Sequence, residues 1–110
     1  VFGGSVSREA LENVSQITGW DFDGSLTQLV EMALIETNGK LQRNRIRYRI
    51  LSLTRNYGYR KLQNLGQLNK DLFSRASSYI KNYCHSNIKN FEALRIELPN
   101  IRKVIKWFLF

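Results

Sequence analysis

The hydrophobic pattern of residues 43–65 changes its period halfway through. Between residues 45 and 50, arginines alternate with apolar or aromatic residues, which is typical of a half-buried β-strand. From Leu53 onward the spacing is closer to that of a helix, with apolar residues at Tyr57, Leu62 and Leu65. The segment therefore predicts a strand that ends near Ile50 and leads directly into a helix.

An earlier apolar run is expected to pair with this strand. Residues 34–37 are followed by Asn38-Gly39, a dipeptide favoured in hairpin turns because both residues accept a positive φ. A helical spacing of apolar residues precedes the run, at Leu26, Leu29, Val30, Ala33 and Leu34. Helix, strand, turn, strand and helix in this order form the outline of a winged helix, a small hairpin supported by helices.

The first part of the chain predicts one more helix and a turn. Ser5 or Ser7 is a candidate N-cap, apolar residues within 6–14 form a buried stripe, and Gly19 would end this helix. Residues 21–25, with the sequence Asp-Phe-Asp-Gly-Ser, predict a turn that caps the next helix.

Three helices are predicted beyond Gly66, where we place the boundary between the hairpin module and a helical region. Residues 68–83 form a long amphipathic helix that ends at 85–87, and residues 91–98 form a shorter one. Pro99 suits the first turn of a final helix. The fold class is thus mainly α. Gly58, inside the helix after the hairpin, costs about 1 kcal/mol relative to Ala, which predicts a close helix–helix contact there.

Charge is distributed unevenly along the 110 residues, whose net charge is +8. Residues 1–40 hold two basic and six acidic residues, whereas residues 41–110 hold fifteen basic and three acidic residues. This asymmetry indicates either a nucleic-acid partner for the basic half or an acidic protein surface that faces it.

Composition excludes several classes of protein. One Cys and one His allow neither an internal disulfide nor a zinc site built from Cys and His. The composition suits a reducing, cytoplasmic compartment, and no apolar stretch approaches the roughly 20 residues of a membrane span. The closing residues 107–110 are all large and apolar, so we expect the last helix to pack on residues outside this chain, which we interpret as an excerpt.

Motifs for catalysis are missing from the sequence. No glycine-rich loop has the spacing of a phosphate cradle, and the adjacent Cys84 and His85 would point in different directions on a helix. Asp21 and Asp23, two carboxylates in a predicted turn, are more often helix caps than metal ligands. We therefore expect no enzyme activity from this chain, and neither catalytic nor metal-binding residues.

The arginines of the predicted hairpin strand offer two interpretations. Arg43, Arg45, Arg47 and Arg49 line one strand face and Arg55 extends the basic surface, so a wing could contact DNA phosphates. The helix expected to enter the major groove is instead acidic, with Asp21, Asp23, Glu31 and Glu36 in or beside it. This favours a protein-facing surface, and a DNA-binding winged-helix regulator is the alternative. For Arg47 and Arg49, a solvated strand face and a salt-bridging surface both stay open.

Two sequence motifs resemble those of one protein family. Residues 47–62 read RYRILSLTRNYGYRKL, similar to the end of the winged-helix domain of NB-ARC/STAND signalling ATPases. Residues 97–107 read ELPNIRKVIKW and resemble the Glu-x-x-Asn-Leu-x-x-Ala-Leu-x-Trp segment that leads into the TPR-like helices of bacterial members. The opening, VFGGSVSREAL, is similar to the join between the first two helices of that winged-helix domain.

The resemblance implies a regulatory part of a larger signal-transduction ATPase. Residues 1–66 would be its winged-helix domain without the N-terminal helix, and residues 67–110 a helical connector and the start of a TPR-like region. Its partners would be the protein's own nucleotide-binding domain and the downstream TPR-like repeats, with oligomerisation of the full-length protein on activation. ADP or ATP would bind upstream, and this chain itself would hold no cofactor.

The family also implies a nucleotide-facing turn after the hairpin strand. Many members carry a Met-His-Asp-like triplet there, whose His contacts the β-phosphate of ADP. The matching positions in this chain are Ile50, Leu51 and Ser52, so the His is absent and Leu51 stands in its place. The resemblance thus assigns Leu51 and Ser52 to the turn that faces the nucleotide.

Overall fold

The computed structural model describes residues 1–38 and 46–109, which form six α-helices and three short β-strands. The strands are β1 (Val6–Ser7), β2 (Ile35–Asn38) and β3 (Arg47–Ile50). The helices are α1 (Arg8–Ser15), α2 (Gly19–Glu31), α3 (Ser52–Gln63), α4 (Gln67–Ser86), α5 (Phe91–Ile96) and α6 (Leu98–Leu109). The predicted mainly α class, with a small sheet, is confirmed.

The three strands form one antiparallel sheet in the order β1-β3-β2. Strand β3 lies in the centre, with Tyr48 opposite Val6 of β1 and Arg49 opposite Glu36 of β2. The predicted pairing of the run at 34–37 with the arginine-rich strand is therefore confirmed. The expected turn at Gly39 lies outside the described residues.

The first helix is shorter than the sequence predicts. Ser7 caps α1, since its hydroxyl accepts from the Ala10 amide at 3.1 Å, whereas Val6 belongs to β1 and not to the helix. The helix ends at Ser15, where Gln16 adopts a left-handed φ of 61°, and not at Gly19. Gly19, with φ 65°, instead begins α2.

The turn predicted at residues 21–25 is wrong, because these residues lie inside α2. Phe22 and Leu26 are both buried and one helical turn apart, so their packing holds the helix through Gly24. Tertiary burial thereby outweighs the helix-breaking tendency of the Asp-Gly-Ser sequence.

The helices after Gly66 follow the prediction closely, except that Leu98 begins α6 and does not end α5. Helix α4 packs against both α1 and α6, and it buries Phe73, Ala76 and Ile80. The rings of Phe73 and Trp107 stack with their centroids 4.0 Å apart. No helix of the described part of the chain is both long enough and apolar enough to cross a membrane.

Helix α3 lies on the surface and contributes no buried residue. The close helix contact predicted at Gly58 is wrong, since a Cβ at this position would have no neighbouring atom within 4 Å. The glycine therefore has no steric justification in the described structure.

Candidate interdomain surface

The arginines of the predicted basic surface lie in different surroundings. Arg47 is half-buried on the central strand, and its Nη1 lies 2.5 Å from Oε1 of Glu97. The side chains of Arg47 and Glu97 are 15% and 2% exposed, so this ion pair is largely withdrawn from water. The pair joins strand β3 to the residue just before α6, fifty positions further along the chain.

All three guanidinium nitrogens of Arg47 have a partner within the chain. Besides the contact with Glu97, Nε donates to the Ser5 hydroxyl at 3.2 Å and Nη2 donates to the Ser5 carbonyl at 2.7 Å. The second oxygen of Glu97 accepts from Nδ2 of Asn100 at 2.8 Å. The carboxylate and the guanidinium are thus both hydrogen-bonded, which a buried ion pair needs to offset its desolvation.

Arg49 and Arg55 also donate to groups of the same chain. Nη2 of Arg49 pairs with Glu36 of the neighbouring strand at 2.6 Å, and both side chains are exposed. Nη1 of Arg55, on α3, donates to the Phe2 carbonyl at 2.8 Å. Arg43 and Arg45, the other two candidates, lie outside the described residues. Each described arginine of the candidate surface therefore already donates to a group of this chain.

The turn between β3 and α3 contains Leu51 and Ser52. Leu51 is the N-cap residue of α3, is half-buried and gives no side-chain hydrogen bond to the helix. Its amide donates to the Leu34 carbonyl at 3.5 Å, a long contact that ties the turn to the residue just before β2. Ser52 is exposed at the start of α3. The polar groups offered by this turn are the Ser52 hydroxyl and the backbone amides of the first turn of α3.

Glu97 and Asn100 belong to this site, although their only predicted role was as members of a motif. Both are buried and polar, and Asn100 is only 1% exposed. Their spacing of three places them on one face of a helical turn. The apolar residues 98, 101, 104 and 105 surround this polar pair in the sequence, and that pattern is the signal that would have marked both as buried polar residues.

Two tyrosines of α4 line the groove beside the buried ion pair. Burial raises the pKa of Tyr79 and of Tyr83, and the nearby Glu97 carboxylate raises each further. The Tyr79 hydroxyl lies 3.5 Å from that of Ser7. Both phenols therefore stay neutral at physiological pH and add no negative charge next to Glu97.

The only cysteine of the chain lies on the same helix. Burial raises the pKa of Cys84, and the Glu97 carboxylate adds to the effect. The thiolate is the reactive form of cysteine, so this shift keeps Cys84 as an unreactive thiol at neutral pH.

The outer face of α2 is acidic. Asp21, Asp23 and Glu31 are exposed there, and residues 19–31 contain no Lys or Arg. Asp23 pairs with Arg8 of α1. Among the ion pairs of the described residues, this is the only one that brings a cation to this face. Trp20, at the start of α2, is 93% exposed. The face combines negative charge with an aromatic side chain, which suits contact with a protein better than contact with a phosphate backbone.

Comparison of the chain with protein-family models, with curated proteins and with solved structures finds no match in any of the three.

Proposed function

We propose that this chain is a regulatory and interaction module of a multidomain NB-ARC/STAND-type signal-transduction ATPase. Residues 1–66 form its winged-helix domain, and residues 67–110 form a helical connector and the start of a TPR-like region. The module is not catalytic. It packs on a cytoplasmic nucleotide-binding domain that holds ADP or ATP and couples the nucleotide state to the helical sensor region.

The meeting of the two sequence motifs is the observation that carries this proposal. Arg47 comes from the first motif, and Glu97 and Asn100 come from the second, yet the three side chains form one buried network. A module that relays a nucleotide-dependent movement to a helical region needs a rigid connection between the two parts. The motif residues supply such a connection.

The arrangement of strands gives a second line of support. A short strand, two helices and a hairpin follow one another, and the returning hairpin strand pairs with the first strand to give the order β1-β3-β2. This order is the one found in winged helices, where the helix before the hairpin is presented to the partner. Here that helix is α2, and its exposed face is acidic.

The same face argues against the alternative, a DNA-binding regulator. Three exposed carboxylates on the element that would enter the major groove repel the phosphate backbone during approach. Arg47, the central arginine of the hairpin strand, would also have to leave a buried carboxylate before it could neutralise a DNA phosphate.

A binding titration with random-sequence duplex DNA at low and at physiological salt separates the two functions. The proposal predicts weak binding that disappears at physiological salt, because the contacts would be non-specific. Arg49→Gln and Arg60→Gln serve as a matched pair: Arg49 lies on the hairpin, and Arg60 is exposed on α3. Micromolar or tighter binding at physiological salt that Arg49→Gln weakens and Arg60→Gln does not would establish the DNA-binding regulator instead.

Release of ADP from the longer polypeptide that we propose contains this chain tests the regulatory role itself. Charge reversal at α2 by Glu31→Lys changes the exposed face that the winged helix would present to a neighbouring domain. We expect a changed rate of release of a fluorescent ADP analogue, whereas Glu92→Lys, exposed on α5, leaves the rate unaltered. Equal rates of release in the unchanged protein, Glu31→Lys and Glu92→Lys would contradict the packing of α2 on a nucleotide-binding domain.

A further inference from the structure

Residues 2–5, called the strap below, are held by side chains from three different elements. Oδ1 of Asn100, on α6, accepts from the Gly3 and Gly4 amides, each at 2.9 Å, and its Nδ2 donates to the Ser5 carbonyl at 2.8 Å. The Ser5 carbonyl also accepts from Arg47 of β3, and the Phe2 carbonyl accepts from Arg55 of α3. The strap is therefore bound through its backbone, in the way that a protein binds an extended peptide.

The strap lies directly on the first turn of α6. A Cβ at Gly3 would clash with the Pro99 carbonyl oxygen, and one at Gly4 would come within 2.8 Å of the Pro99 Cβ. Contacts this short do not occur in proteins, so the backbone approaches α6 more closely than any residue with a side chain allows. Gly3 and Gly4 are required here for close approach.

The hydrogen bonds of Asn100 are complete. Its amide nitrogen uses both hydrogens, one for Ser5 and one for Glu97, and its amide oxygen accepts two backbone amides. With Asn100 1% exposed and Glu97 2% exposed, the network is shielded from water, and a fully satisfied buried network specifies a single arrangement. The strap, β3 and α6 are consequently fixed relative to one another.

We propose that the strap is a latch that couples α3 to α6, so that its release from Arg55 loosens the first turns of α6. Asn100 and Arg55 lie on different helices, and the strap residues Phe2 and Gly3 connect them. Two further contacts hold α6: Trp107, at its far end, stacks on Phe73 of α4, and Lys103 lies over the Tyr59 ring of α3, 5.1 Å from its centroid. The inference concerns only contacts inside this chain and does not rest on the nucleotide-binding function.

Amide hydrogen exchange in Arg55→Lys, measured by mass spectrometry or NMR on the whole chain, tests the latch. Lysine keeps the charge but loses the planar fork, so its hydrogen bond to the Phe2 carbonyl is weakened. We expect amides 101–106 of α6 to exchange about five- to tenfold faster, the factor that corresponds to a hydrogen bond weakened by about 1 kcal/mol. Arg60→Lys, an exposed arginine on the same helix, serves as the control and leaves α6 unchanged.

A second variant shows whether the effect travels through the strap. Asn100→Asp keeps the acceptor for Gly3 and Gly4 but removes both donors. Through the strap, Arg55→Lys and Asn100→Asp act on the same contacts, so the double variant should exchange in α6 no faster than Asn100→Asp alone. Should Asn100→Asp lose its helical circular dichroism, the comparison of Arg55→Lys with Arg60→Lys decides by itself. Faster exchange confined to residues 2–7, with α6 unchanged in Arg55→Lys, would overturn the latch.

Discussion

Glu97 illustrates how the effect of replacing a charged residue on stability depends on the burial of that residue. A buried ion pair often contributes little net stability, since the desolvation of both charges offsets their attraction. Removal of one partner is different, because the other charge then stays behind with neither water nor a counter-ion. Arg47, with a side chain only 15% exposed, would be left in that position.

We predict that Glu97→Ala lowers the free energy of unfolding by about 3 kcal/mol, since it strands the Arg47 guanidinium and also removes an acceptor of Asn100. Urea denaturation followed by circular dichroism measures the change. The control is Glu36→Ala, which breaks the exposed pair with Arg49 and should cost less than about 1 kcal/mol. Similar losses in the two variants would show that the Glu97 pair behaves like a surface pair.

The partner of Arg47 is a feature that no local pattern predicts. Alternation along residues 45–50 predicts which residues share a strand face, and it placed Arg47 with Arg49. Arg49 is exposed, whereas Arg47 meets Glu97, a residue fifty positions away that no local pattern brings into contact. The alternation defines the strand, but the partner of each side chain depends on how α6 packs.

Among the elements, α3 is a helix with little support from packing. It buries none of its residues and carries Gly58 in its interior, in open surroundings. Glycine in a helix loses more backbone entropy on folding than alanine does, and here no packing contact compensates.

We predict that Gly58→Ala raises the free energy of unfolding by about 0.5–1 kcal/mol, since it removes the entropy cost without a steric clash. Thermal unfolding followed by circular dichroism is the measurement. Gly66→Ala is the matched control: its φ of 57° strains any residue with a side chain, so this variant should lose about 1 kcal/mol. A destabilised Gly58→Ala would indicate that a close neighbour of α3 exists after all.

Prediction of the elements succeeded where a pattern was long and failed where it was short. The twenty residues of α4 repeat their apolar stripe over several turns, and its bounds follow from the sequence. Strand β1 has only two residues, too few to show any period, and Val6 fits a helical stripe equally well. Within α2, a turn was predicted because Asp-Gly-Ser is typical of turns. The burial of Phe22 and Leu26, which holds the helix, is revealed only by the folded chain.

Over the whole molecule, contacts cross the predicted boundary at Gly66 in several places. Helix α1 packs on α4, Arg75 donates to the Val14 carbonyl at 2.8 Å, and Arg47 pairs with Glu97. Regions that share buried contacts of this kind unfold together, because neither part retains its core without the other.

We predict a single cooperative unfolding transition for the chain. The measurement compares circular dichroism with the fluorescence of Trp107 in a Trp20→Phe variant, and the two urea midpoints should coincide. Trp20 is 93% exposed, so its replacement leaves the packing intact, and the remaining tryptophan reports on the stack with Phe73. Two separate midpoints would show that residues 1–66 and 67–110 fold as independent units.

The close approach of Gly3 to α6 also constrains how this chain can evolve. The atom that excludes a side chain at position 3 is the carbonyl oxygen of residue 99, which every amino acid carries. No second substitution at position 99 can therefore restore a variant of Gly3, and compensation would require a shift of the backbone itself. Gly4 differs, since its neighbours are side-chain atoms of Pro99. A substitution at position 99 can therefore compensate for a variant of Gly4 but not for a variant of Gly3.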